Sequence, residues 1–121
     1  MRGLIWGAVF AILSIAIGAM LSHALKSVLN QKELETLSIA AKYLFYVAIP
    51  LIMMSLTNFK WGWPNFLYNS FIISAWLFSG SLILFVFTKI SWLVYLTPLG
   101  GITMMGSWAA LLVIGTKKLK T

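Results

Sequence analysis

The sequence predicts an all-α integral membrane protein, an antiparallel up-down-up-down four-helix bundle with short loops. Three observations predict it. Of 121 residues, 61% are hydrophobic and 9% charged, with a mean hydropathy of +0.97, whereas soluble domains carry about 25% charged residues. Four apolar stretches stand out, each near the roughly 20 residues that a helix needs to cross about 30 Å of hydrocarbon. Their connections are short, which forces antiparallel neighbours. Disorder is excluded by the hydrophobicity, and a membrane β-barrel by runs that are continuously apolar rather than alternating.

The first span covers residues 3–25, interrupted only by Ser14, Ser22 and His23. Its apolar run is too long for the core of a cleaved signal peptide, so it reads as a retained span. The second covers about 37–57. Asn30 and Glu33 have capping-box spacing, so this helix is expected to start near Gln31 in the interface. Leu34 and Leu37 are then expected to face the bilayer, with Lys32, Glu33 and Glu35 in water. Pro50 removes the amide that would pair with the Tyr46 carbonyl and predicts a kink. The third span covers about 66–87, after a break at Gly62 and Pro64. The fourth covers about 93–115, and Pro98, Gly100 and Gly101 predict a bent start or a proline in the first turn. Trp61, Trp63, Tyr68, Trp92 and Tyr95 fall at span ends, where amphipathic rings favour the interface. The whole chain, 1–121, makes one transmembrane domain.

An even number of spans puts both termini on one side. Arg2, Lys60, Lys117, Lys118 and Lys120 share that side. Lys26, Lys32, Lys42 and Lys89 flank the other, with both acids of the chain, Glu33 and Glu35. The positive-inside rule then predicts both termini cytoplasmic. The net charge of +7 suits anionic lipid headgroups. It forms no stripe of the kind that binds nucleic acid, so none is expected.

Little chemistry is on offer. The spans hold no Asp or Glu, and Lys and Arg are read at their ends, whereas pumps and proton-coupled carriers place ionisable groups within the hydrocarbon. There is no Cys and one His, so neither thiolate chemistry nor a metal site is expected. No catalytic residues and no cofactor are predicted. Small residues are ordered instead: Gly3, Gly7 and Ala11 in one stripe, Ser14, Gly18 and Ser22 in a second, Gly106 and Ala110 in a third. Such stripes let helix backbones approach closely in lipid.

The runs Gly18-Ala19-Met20-Leu21-Ser22-His23, Phe78-Ser79-Gly80-Ser81-Leu82 and Thr97-Pro98-Leu99-Gly100-Gly101, with Tyr43, Tyr46 and Trp108, resemble the YgdD-like family. The resemblance implies a small four-helix bacterial inner-membrane protein, of a domain of unknown function with mitochondrial relatives. The family's first motif usually reads Gly-Ala-Phe-Gly-Ala-His, replaced here in its middle by Met20, Leu21 and Ser22. Its second histidine falls at Val47, and a usual tyrosine at Ile83.

Antiparallel spans bring these motif pieces into one membrane half. A polar notch is therefore expected there, lined by His23, Tyr43, Tyr46, Ser79, Gly80, Ser81, Thr97, Gly100 and Gly101. The competing expectation is that the hydroxyls bond neighbouring carbonyls and the glycines only permit tight crossing. The leading functional expectation is a non-catalytic accessory or scaffold subunit of a larger membrane assembly, with membrane lipids and other membrane subunits as partners. The alternative is a small lipid- or quinone-binding protein that uses the notch.

Overall fold

The computed structural model describes residues 2–57 and 63–119. Four helices among them are long and apolar enough to cross a membrane. Helix α1 is Arg2–Ser22, α2 is Gln31–Leu56 and α3 is Asn65–Thr88. Helix α4, Leu96–Leu119, follows a 3-10 segment at Ser91–Tyr95. Continuous apolar sequence favours helices because they satisfy every backbone group internally where no water is available. The sequence features at Lys60, Trp61, Gly62 and Lys120 lie outside the described residues.

Helix α2 begins where the capping box places it. The Asn30 side chain accepts from the Glu33 amide at 2.8 Å, and Glu33 accepts from the Asn30 amide at 3.1 Å. The helix runs unbroken through the buried Pro50. Leu37 does not face lipid as expected but is 1% exposed. It falls in register with Ala40, Leu44, Val47 and Leu51, so the 3.6-residue period carries it onto the core face. Helix α3 ends at Lys89, whose left-handed backbone (φ 62°) caps it by donating to the Phe85 carbonyl. Lys89 also forms an ion pair with Glu33, joining the start of α2 to the end of α3.

Helices α2 and α3 form the centre. Helix α1 lies chiefly against α2, and α4 chiefly against α3. The core is Phe10, Leu44, Val47, Leu51, Leu67 and Phe71, with Met104 and Leu111 from α4. The rings of Trp6 and Phe10 reach across to Trp76 of α3 at 6.1 and 5.6 Å. Gly3 and Gly7 sit where α1 crosses α2 most closely: a Cβ on Gly3 would stand 2.6 Å from the Leu51 carbonyl oxygen, and one on Gly7 3.0 Å from that of Ala48. Beyond them Ala11 packs on the core, and Ser14 donates to the Ala41 carbonyl at 2.8 Å.

The rest of the second stripe does something else. A Cβ on Gly18 would meet nothing within 4 Å, and Ser22 is exposed and bonds back to the Gly18 carbonyl. Gly106 likewise faces open space, while Ala110 packs on the core. Gly18, Ser22 and Gly106 are therefore not close-packing positions of this bundle: the first two line a hollow between the end of α1 and the start of α2, and Gly106 is exposed on α4.

Candidate functional site

Helix α3 is not α-helical throughout. Between Asn65–Ala75 and Ser81–Thr88 it opens into a π-helical turn at Trp76–Gly80. A π-turn holds one extra residue, and such turns often mark functional sites. This one coincides with the Phe78-Ser79-Gly80-Ser81 run, and the motif residues of α2 and α4 gather around it. The Ser79 hydroxyl is fully buried and donates to the Ala40 carbonyl of α2 at 2.8 Å. The Ser81 hydroxyl donates to the Phe78 carbonyl and shares a 2.7 Å hydrogen bond with Thr97 of α4. Tyr43 stacks on Phe78 with ring centroids 4.3 Å apart, and Tyr46 stands beside Tyr43 at 5.1 Å. Gly100 presses on the π-turn itself, where an added Cβ would lie 2.4 Å from the Phe78 nitrogen.

The expected notch residues thus do not share one cavity. Ser79, Ser81 and Thr97 turn into helix–helix contacts, because an unpaired hydroxyl in hydrocarbon is costly and carbonyls of adjacent helices lie within reach. A Cβ added to Gly80 would lie 3.7 Å from the Trp76 ring, and Gly80 and Ser81 line a separate cavity of about 320 Å³ with Leu77 and Leu93. His23 is exposed just beyond α1 and is not brought to the other motif residues.

What the packing leaves open is a lateral apolar groove. The backbones of α2 and α4 hardly approach one another, since both pack on α3. The first stretch, about 480 Å³, is lined by Tyr43, Tyr46 and Ile49 on one wall and Gly101, Met104, Met105 and Trp108 on the other. A second stretch of about 290 Å³ follows, between Met53 and Thr57 at the end of α2 and Leu111, Leu112 and Gly115 on α4, with Trp63 lying against Gly115. From Tyr43 to Thr57 the wall is about 21 Å long at 1.5 Å per residue. Tyr46 at 47%, Met105 at 70% and Trp108 at 41% exposure are open to the surroundings, whereas Met104 and Leu111 are buried as the floor beneath them.

Three of the expected residues, Tyr43, Tyr46 and Gly101, line this groove. Sequence reasoning did not find Ile49, Met104 and Met105 as a wall, and took Trp108 only as part of a motif. Their recurrence every three to four residues is the ordinary signature of any helix face, so nothing distinguished this face from the core.

The chain matches the family described as "Protein of unknown function (DUF423)" over residues 17–101. It is 31% identical to the UPF0382 membrane protein YwdK of Bacillus subtilis, with 96% of this chain and 97% of that protein aligned. It is also 31% identical to the UPF0382 membrane protein SH2409 of Staphylococcus haemolyticus, over 91% of each chain. A UPF0382 membrane protein of Haemophilus influenzae is 28% identical over 80% of this chain and 79% of its own. No solved structure matches. The match extends from the end of α1, through α2 and the π-turn, to Gly101 at the head of the groove, and on it the chain belongs to the DUF423 family, whose UPF0382 members are membrane proteins of unknown function.

Proposed function

We propose that this protein is a non-catalytic accessory or scaffold subunit of a larger inner-membrane assembly, and that the groove between α2 and α4 receives a helix of its partner. The groove carries the reading. Its α4 wall repeats at Gly101, Met104/Met105, Trp108, Leu111/Leu112 and Gly115. This 3.5-residue recurrence is the seam that a neighbouring helix packs into at about +20°. Gly101 is the small residue that allows close approach in lipid, where association rests on packing rather than on hydrophobic drive, while Gly115 is already covered by the ring of Trp63. The length of about 21 Å covers some two-thirds of a 30 Å hydrocarbon layer.

In this reading the chain is YgdD-like, as its motif runs imply, and both termini are cytoplasmic because Arg2 and the C-terminal lysines share one side. Purification in mild detergent followed by mass spectrometry tests the role. The expected result is a second membrane polypeptide in stoichiometric amount. A lone monomer, or an oligomer of this chain alone, contradicts it.

One observation favours a second reading, a bound lipid tail or quinone ring. Tyr43, Tyr46 and Trp108 surround the head of the groove with flat aromatic faces and two phenolic hydroxyls. Under that reading the purified protein retains a small hydrophobic molecule, which is lost when Trp108→Ala widens the groove.

A further inference from the structure

Helix α2 has two faces that recur at the spacing of a helix seam, and the bundle covers one of them. Leu37, Ala41, Leu44, Ala48 and Leu51 are buried. Ile39, Lys42, Tyr46, Ile49, Met53 and Leu56 follow the same alternation of four and three residues, and all six are exposed. Tyr46, Ile49 and Met53 of this second set line the groove, so the set is its α2 wall, continued at both ends. From Ile39 to Leu56 it extends about 26 Å at 1.5 Å per residue.

What distinguishes this face from an ordinary apolar one is Lys42. It stands one turn from Tyr46 and two turns from Ile49 on the same side of the helix. Its side chain is exposed and has no ion pair or hydrogen bond among the described residues. The two acids of the chain are placed elsewhere. Glu33 pairs with Lys89, and Glu35 accepts from Gln31. Glu35 is also seven residues, or about 10 Å along the helix, from Lys42. The opposite wall, from Gly101 to Thr116 on α4, contains no charged residue. A helix laid along this face covers the Lys42 ammonium, and a covered charge is strongly destabilising unless a counter-charge meets it.

We infer that the helix received by the groove carries an aspartate or glutamate that pairs with Lys42. The inference rests on the groove reading above and adds the chemistry of the partner. A single charged residue in an otherwise apolar seam fixes register and partner choice at some cost in stability. A second copy of the chain does not supply the complement. In a two-fold pair inserted the same way the α2 seams run parallel, and each residue on the axis meets its own counterpart, so Lys42 faces Lys42. An anionic lipid carries its charge at the end of its tails. Lys42 instead has exposed apolar residues on both sides of it along the helix, Ile39 and Tyr46, which matches a carboxylate set within an apolar helix.

Two crosslinks made in native membranes on the full chain test this. A photoreactive residue at Ile49 reports whether a polypeptide lies in the groove. Dicyclohexylcarbodiimide, which joins an amine to a carboxylate in contact with it, reports what meets Lys42. The expected result is one polypeptide captured from Ile49, with Lys42 coupled to an aspartate or glutamate in a transmembrane segment of that same polypeptide. Lys42→Glu is expected to lower the Ile49 adduct about ten-fold, as reversing one charge of a covered pair does, and Lys42→Arg to preserve it. If Lys42→Glu does not fold, as judged by circular dichroism and size exclusion, the coupling in the unaltered chain decides. An Ile49 adduct without coupling from Lys42, or one undiminished in folded Lys42→Glu, overturns the acidic partner and leaves the groove reading standing. Coupling of Lys42 to Glu33 or Glu35, in its own chain or a second copy, or to a lipid also overturns it. No polypeptide captured from Ile49 removes the groove reading and this inference together.

Discussion

Gly100 and Gly101 are adjacent on α4 and have opposite surroundings. A Cβ on Gly100 would run into the Phe78 backbone at 2.4 Å, whereas one on Gly101 would touch only the Phe78 ring at 3.7 Å. Gly100→Ala is therefore expected to lower stability by about 1–3 kcal/mol, the range for overpacking a filled site. Gly101→Ala is expected to stay within about 0.5 kcal/mol. Gly18→Ala and Gly106→Ala, which meet open space, are expected to stabilise by up to about 1 kcal/mol through helix propensity. Chaotrope unfolding of the purified variants in detergent micelles measures all four, and a Gly100→Ala variant as stable as Gly101→Ala contradicts the packing described here. The glycine spacings were legible in the sequence, but their roles were not. Gly3 and Gly18 look alike along the chain, and only the surrounding packing separates a crossing point from the wall of a hollow.

At the scale of the element, the start of α2 was legible to the residue because capping is local chemistry: Asn30 and Glu33 satisfy each other's amides within one turn. The π-turn of α3 was not legible, because an apolar run reads the same with or without one extra residue, and the turn is held by contacts from other helices. Those contacts are the Ser79 bond to Ala40 and the close approach of Gly100. This gives a prediction by deletion. Removing Gly80 takes out the extra residue and leaves Asn65–Ala75 and Ser81–Thr88 in their present phase. Removing Ile83 rotates the helix end by about 100°, since one turn holds 3.6 residues, and carries Val86 and Lys89 off their partners. The Gly80 deletion is expected to yield folded, monodisperse protein, and the Ile83 deletion to aggregate. Size-exclusion chromatography distinguishes them, and the reverse order contradicts the π-turn as an accommodated insertion.

For the whole molecule, hydropathy made the number and order of spans legible, since solvent alone dictates them. The groove was not, because it exists only where two helices that share a neighbour fail to meet. Topology follows from the same bundle. Ser27→Cys, in the loop after α1, is expected to react with a membrane-impermeant thiol reagent in intact cells, and Lys117→Cys only after permeabilisation. Reaction of both in intact cells contradicts the proposed orientation.

On the proposed function, the face between α2 and α4 is covered by another protein. The most direct measurement is photocrosslinking in native membranes from Met105, in the groove, beside a control at Ile5, exposed on α1. The account predicts one discrete adduct between Met105 and a second membrane polypeptide, with only lipid captured from Ile5. Lipid adducts alone from both positions, or the same polypeptide captured equally from each, would contradict it.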